Sequence, residues 1–156
     1  MEDLKTIMQK IAELSDIEVA IEEKQQGESV KLEISGKDSA LLIGKKGKTL
    51  EAVQWLLSAM VLRREGGPTG KRVYFDVEGY RKRHEDRLVQ LANKVIDKVK
   101  RTGKEFELSP MSPRDRRVIH ITVEPHAEMT SFSRGEKDER RVIVTLKENN
   151  TEEDGK

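Results

Sequence analysis

Apolar residues recur along this chain with two periods, and the periods change in a definite order. Leu4, Ile7, Met8, Ile11 and Leu14 fall three and four apart, which predicts a helix over 4–14. In "IEVAIEE", Ile17, Val19 and Ile21 alternate with polar neighbours, and in "VKLEIS" Val30, Leu32 and Ile34 do the same. Two alternating runs joined by "GES" predict a β-hairpin. Asp38 or Ser39 is placed to cap a short helix running to Ile43. The loop Gly44-Lys45-Lys46-Gly47 follows, and then a helix from about Lys48 to Arg64 with Leu50, Val53, Leu57, Met60 and Val61 as its main apolar stripe. "REGGPTG" breaks that helix, and "KRVYFDV" predicts a third strand.

A second unit begins near Gly79. Residues 80–102 predict a long amphipathic helix with Leu88, Leu91, Ala92, Val95 and Val99 on one face, ended by Gly103. "KEFEL" is a short strand. In "SPRDRRVIHITV" Ser112 is a natural N-cap, Pro113 takes the first helical position, and Asp115 opposes the helix dipole. Pro125 closes that helix. "EMTSFS" and "RRVIVTL" predict two more strands, joined by the polar hairpin "RGEKDE". The expected class is α+β, with units at 1–78 and 79–148 and a disordered tail at 149–156.

Composition narrows the function classes. Aromatics are 4% and hydrophobic residues 35% of 156, so two small aliphatic cores fit better than one large sheet. The chain has no cysteine, which removes disulfides, thiolate catalysis and cysteine-bound metals. No apolar run approaches the roughly 20 residues needed to cross a bilayer, and the acidic N-terminus has no apolar signal core. No membrane insertion is expected, and a cytoplasmic protein is.

The net charge of +1 hides a segregation. Residues 1–40 hold 5 Lys+Arg against 10 Asp+Glu, and residues 124–156 hold 6 against 9. Residues 41–75 hold 7 against 2, and residues 76–123 hold 12 against 8. The basic middle surrounds the Gly44–Gly47 loop and suits a polyanionic partner.

The loop invites two chemistries. Gly47-Lys48-Thr49 imitates the end of a nucleotide phosphate loop, but that motif needs a glycine where Leu42 stands, and Gly44 is too close. The other chemistry is a grip on a sugar-phosphate backbone. Glycines let a polymer backbone approach, a helix N-terminus offers amides to phosphate, and Lys45, Lys46 and Lys48 supply charge. In the second unit Arg116 and His120 are four apart and share a helix face, with Arg117 beside them. A guanidinium grips phosphate, and an imidazole can hydrogen-bond or stack on a base.

"LLIGKKGKTLEAVQWL" resembles the signature of the KH domain, and the order helix-strand-strand-helix-helix-strand resembles its type II topology. The Arg-xxx-His spacing resembles the R-three-H domain, a small domain of helices on a three-stranded sheet. Together with "DVEGYR", "LSPMSPRDRRVIH" and "SRGEKDERRVIV", the succession resembles the bacterial Jag family, also called KhpB or EloR, over about residues 5–147. Many members carry a further N-terminal Jag domain and linker, and this chain begins almost at the KH unit, so a short form lacking it is expected.

The resemblance implies a non-catalytic protein that binds single-stranded RNA, with single-stranded DNA as the alternative, and acts as a post-transcriptional regulator or RNA chaperone. Gly44, Lys45, Lys46 and Gly47 would clamp about four nucleotides of backbone. Lys48, Arg116, Arg117 and His120 would add contacts, and Ala40, Ile43 and side chains of the second strand would line a groove for bases. No cofactor is expected. A nucleic-acid-processing enzyme using His120 as general acid or base is the rival, but no paired carboxylate or second histidine can be placed beside it. The third reading is a scaffold that forms a homodimer or joins a second small KH protein. His84 reads as a boundary histidine and His126 as a loop residue, so no metal site is expected. Trp55 lies off its helix's main stripe and reads as packing rather than a base-stacking platform, with a subunit contact as a further alternative.

Overall fold

The computed structural model describes residues 3–67 and 71–147. The expected tail at 149–156 lies outside them. The chain divides into two compact units, Met1–Arg81 and Lys82–Lys156.

The first unit runs α1 (Leu4–Leu14), β1 (Ala20–Gln26), β2 (Ser29–Ser35), α2 (Ser39–Ile43), a single 3₁₀ turn (Lys45–Gly47), α3 (Lys48–Arg64) and β3 (Val73–Val77). This is the expected helix-strand-strand-helix-helix-strand order. The strands lie in the order β1-β2-β3. β1 and β2 are an antiparallel hairpin, whereas β2 and β3 are parallel, with Leu32 opposite Phe75 and Ile34 opposite Val77. A parallel pair needs a long crossover, and α2, the loop and α3 are that crossover.

Alternation sorts the sheet's two faces. Leu32, Ile34, Val73, Phe75 and Val77 are buried with Leu4 and Met8 of α1, Leu42 of α2, and Leu50 and Leu57 of α3. The opposite face carries a cross-strand ion network of Glu22, Lys24, Lys31 and Glu33. β3 is an edge, and α3 satisfies it. The Gln54 side chain donates to the Val73 carbonyl at 2.7 Å and accepts from the Phe75 N–H at 2.8 Å. A side-chain amide thus takes the place of a neighbouring strand, which fixes α3 to the sheet.

The second unit runs α4 (Tyr80–Thr102, its first two residues belonging to the first unit), β4 (Phe106–Glu107), α5 (Pro113–Val123), β5 (Met129–Arg134) and β6 (Arg141–Leu146). The sheet order is β4-β6-β5, antiparallel throughout. Its core joins Leu88, Ala92, Val95, Ile96 and Val99 of α4 to Ile119 and Val123 of α5 and to Met129, Val142 and Val144 of the sheet. α5 starts as expected, with the Ser112 hydroxyl accepting the Asp115 N–H at 3.2 Å.

Four local expectations need correction. β1 starts at Ala20, not Ile17, because α1 closes through Asp16 at φ +54° and the Ile17 N–H bonds back to the Ala12 carbonyl at 2.9 Å. Asp38 takes the N-cap position of α2 but makes no side-chain capping bond: its carboxylate accepts the Glu18 N–H, and the Ser39 hydroxyl donates to Glu78. Leu91 is 39% exposed and Ile96 takes its place in the core, since the buried set runs one step further around the helix. Trp55 is 72% exposed, so it does not pack inside its own unit.

Phe75 is fully buried, and truncating it leaves a cavity that a small aliphatic core cannot close. Phe75→Ala is expected to cost about 3–5 kcal/mol. The measurement is the urea midpoint, with Tyr74→Ala on the exposed face as a control that shifts it far less.

Candidate nucleic-acid interface

The crossover makes its elbow at Gly44–Gly47. Three of the four residues take positive φ: Gly44 at +68°, Lys46 at +55° and Gly47 at +80°. For the glycines this is free of side-chain strain, whereas Lys46 gives up about 1 kcal/mol or more. Both glycines are also closely approached. A β-carbon on Gly44 would collide with the Thr49 hydroxyl, and one on Gly47 would stand 3.1 Å from Cε1 of Tyr80.

Lys45, Lys46 and Lys48 are exposed, and Gly47 is buried. Lysine charge therefore faces solvent while the second glycine backs onto the fold. α3 begins at Lys48 without a side-chain cap. The positive end of a 17-residue helix thus stands next to three exposed lysines. Of the expected groove residues, Ala40 is exposed and Ile43 half-buried. Leu32 and Ile34 of β2 are fully inside the core.

In the second unit Arg116 and His120 lie on the side of α5 that meets β5 and the loop before Ser112. The Arg116 guanidinium donates to the Met111 carbonyl at 2.9 Å. His120 is half-buried and bridges two hydroxyls of β5: Nδ1 lies 2.7 Å from Oγ of Ser131, and Nε2 lies 3.0 Å from Oγ of Ser133. Ser131 and Ser133 share the inward face of the strand with Met129. In a neutral ring one nitrogen donates and the other accepts, so the two hydroxyls play opposite roles. Burial, and next the charge of Arg116, push the His120 pKa below its usual 6.5. Arg117 is exposed.

The eight residues expected to form the site thus fall in two places. Gly44, Lys45, Lys46, Gly47 and Lys48 are contiguous at the elbow. Arg116 and His120 are held side by side, with Arg117 turned to solvent. Sequence reasoning misses Thr49, Tyr80, Ser131 and Ser133. Tyr80 has only "DVEGY" as a signal, and nothing in "EMTSFS" marks serines that meet a histidine. His84 does pair, through Nε2 to the Asp115 carboxylate at 3.0 Å. Among the described residues no group of three or more His, Cys, Asp or Glu could hold a metal, and no helix is long and apolar enough to cross a membrane.

His120 also sets a pH dependence. Its folded pKa lies below the unfolded value, so as pH falls the unfolded chain takes the proton first. Its contribution is full above about 6.5 and is lost as pH falls through the folded value. The melting temperature between about pH 8 and 5 is expected to fall less steeply in His120→Asn than in the parent chain.

Residues 1–77 match the KH domain of KhpA/KhpB, and residues 86–146 match the R-three-H domain. The chain is 37% identical over 146 residues to the RNA-binding protein KhpB of Bacillus subtilis (strain 168), covering 92% of this chain and 67% of that protein. It is 34% identical over 134 residues to the RNA-binding protein KhpB of Clostridium symbiosum, covering 86% of this chain and 60% of that one. The RNA-binding protein KhpB of Streptococcus pneumoniae serotype 2 is 26% identical over 142 residues, 43% of its length. The chain therefore spans about two thirds or less of the length of these relatives.

Proposed function

The chain belongs to the KhpB family, with a KH domain followed by an R-three-H domain, and from that premise we propose that it binds single-stranded RNA without catalysis. The role that fits is a cytoplasmic post-transcriptional regulator or RNA chaperone. The observation that carries the reading is the elbow itself: exposed Lys45 and Lys46 stand between two glycines of positive φ, at the uncapped start of α3. The glycines let the backbone make this tight turn against Thr49 and Tyr80, and the turn presents the two lysines to solvent, where phosphates can reach them. The Arg116–His120 face and Arg117 would act as a second contact. Single-stranded DNA is the competing ligand, since the lysines read phosphate and not the 2′-hydroxyl.

Catalysis by His120 has less support. The ring is held by two serine hydroxyls and not by a carboxylate that would orient it as a general base. Incubation of labelled RNA with the pure chain separates the readings, since cleavage products belong only to an enzyme.

Lys45→Asp together with Lys46→Asp is expected to keep the fold and weaken binding of an oligouridylate probe by at least about tenfold at low salt. The dependence of log affinity on log salt should also become shallower, by about 0.7 for each phosphate that is no longer neutralised. Affinity equal to the parent's would remove the loop from the site.

Trp55 favours a second, compatible reading. With Leu56 at 43% and Leu62 at 50% exposed, it leaves apolar surface on the outside of α3. We propose that this face joins two copies of the chain, with a second small KH protein as the alternative occupant. Light scattering without RNA is expected to show more than one chain per particle, and Trp55→Glu to return it to one. A parent chain that scatters as a monomer at high concentration counts against a homodimer.

A further inference from the structure

The turn that follows β3 touches both ends of the segment that bears the lysines. Glu78 and Gly79 take left-handed backbone, at φ +50° and +68°. The Glu78 N–H donates to the Ile34 carbonyl at 2.9 Å, so the turn is tied to the end of β2. Its carboxylate accepts the Ser39 hydroxyl at 2.8 Å and the Gly36 N–H at 3.3 Å. Ser39 is buried and Glu78 is exposed, and this part-buried bond anchors the first residue of α2. Two residues on, the Tyr80 ring sits against Gly47, at the far end of α2 and the loop. It is half-buried and packs on the core of the first unit.

One short turn thus grips the lysine-bearing segment at its entry and its exit. The geometry matters because the loop has no core of its own. Lys45, Lys46 and Lys48 face solvent, and Lys46 is kept in an unfavourable backbone conformation that only its surroundings can enforce. A flat ring against a glycine fits by its shape. An aliphatic side chain of similar bulk would press on the glycine or leave a gap.

We infer that Tyr80, set by the Glu78–Gly79 turn, is a positioning residue for the Gly44–Gly47 clamp: it holds Gly47, and through it the loop lysines, in the conformation that receives an RNA backbone. The inference rests on the reading of the loop as an RNA clamp. Tyr80 itself need not touch RNA. It lowers the cost of binding by keeping the loop in its bound form.

The test uses the full chain and fluorescence anisotropy with a labelled oligouridylate. Tyr80→Leu, which keeps apolar bulk and removes the flat ring, is expected to weaken binding by about tenfold, and Tyr80→Phe to bind within about twofold of the parent. In the Lys45→Asp, Lys46→Asp background, Tyr80→Leu should change nothing further, because a residue that acts through the loop has no loop left to act on. Amide resonances of residues 45–48 should move in Tyr80→Leu while those of β5 and β6 stay in place. The inference is overturned if Tyr80→Leu binds as the parent does. It is equally overturned if Tyr80→Leu weakens binding as much in the charge-reversed background as in the parent. If charge reversal of the two lysines leaves affinity unchanged, the clamp reading fails first and the inference with it, so the two failures are told apart.

Discussion

Parallel pairing of β2 with β3 is the constraint from which the first unit follows. Strands that run the same way cannot be joined by a tight turn, so the chain must leave the sheet, travel back along its length and re-enter. Two helices make that journey, and helices of different direction need an elbow between them. The elbow is a single 3₁₀ turn between the two helices, and the glycines and lysines are there. Gln54 then ties the return helix to the edge of β3, so the elbow stands on a framework held by both backbone ladder and side chain. A loop in this position can be exposed and still be well defined.

The two halves of the motif set differ in how they are built. At Gly44–Gly47 the lysines are exposed and the fold closes on the glycine backbone. At Arg116 and His120 the side chains themselves are held, one by a carbonyl and the other by two hydroxyls. The same sequence spacing that suggests a phosphate-binding face also fastens α5 to β5 and to the preceding loop. Residues at a fixed spacing can serve a surface by shaping it as well as by touching what lands on it; here His120 is bonded within the domain through both ring nitrogens.

Much of the fold is legible in the sequence because it is local. Period and caps mark α1, α3, α4 and α5 close to their observed bounds, and alternation marks the hairpin. The misses are long-range or finely angular. Leu91 and Ile96 lie about 140° apart around a helix rich in both charge and aliphatics, and only the position of the neighbouring sheet decides which goes inside. Asp38 has a better partner in Glu18, twenty residues earlier, than in its own helix. The elbow's glycines are legible from composition and spacing. The side chains behind them are not, because Thr49 and Tyr80 reach the loop from different elements and a tyrosine opening a helix has no signature. Ser131 and Ser133 are hidden for the same reason: contact across a strand and a helix leaves no trace in either alone.

Lys46 carries one further consequence. Its backbone favours glycine or asparagine, while its charge favours lysine, and the two preferences act on different properties. Selection for heat resistance alone would drift that position toward glycine, and the product would be a sturdier molecule with one exposed positive charge fewer on the loop. A lysine at that angle sets the charge of the loop against the firmness of the fold.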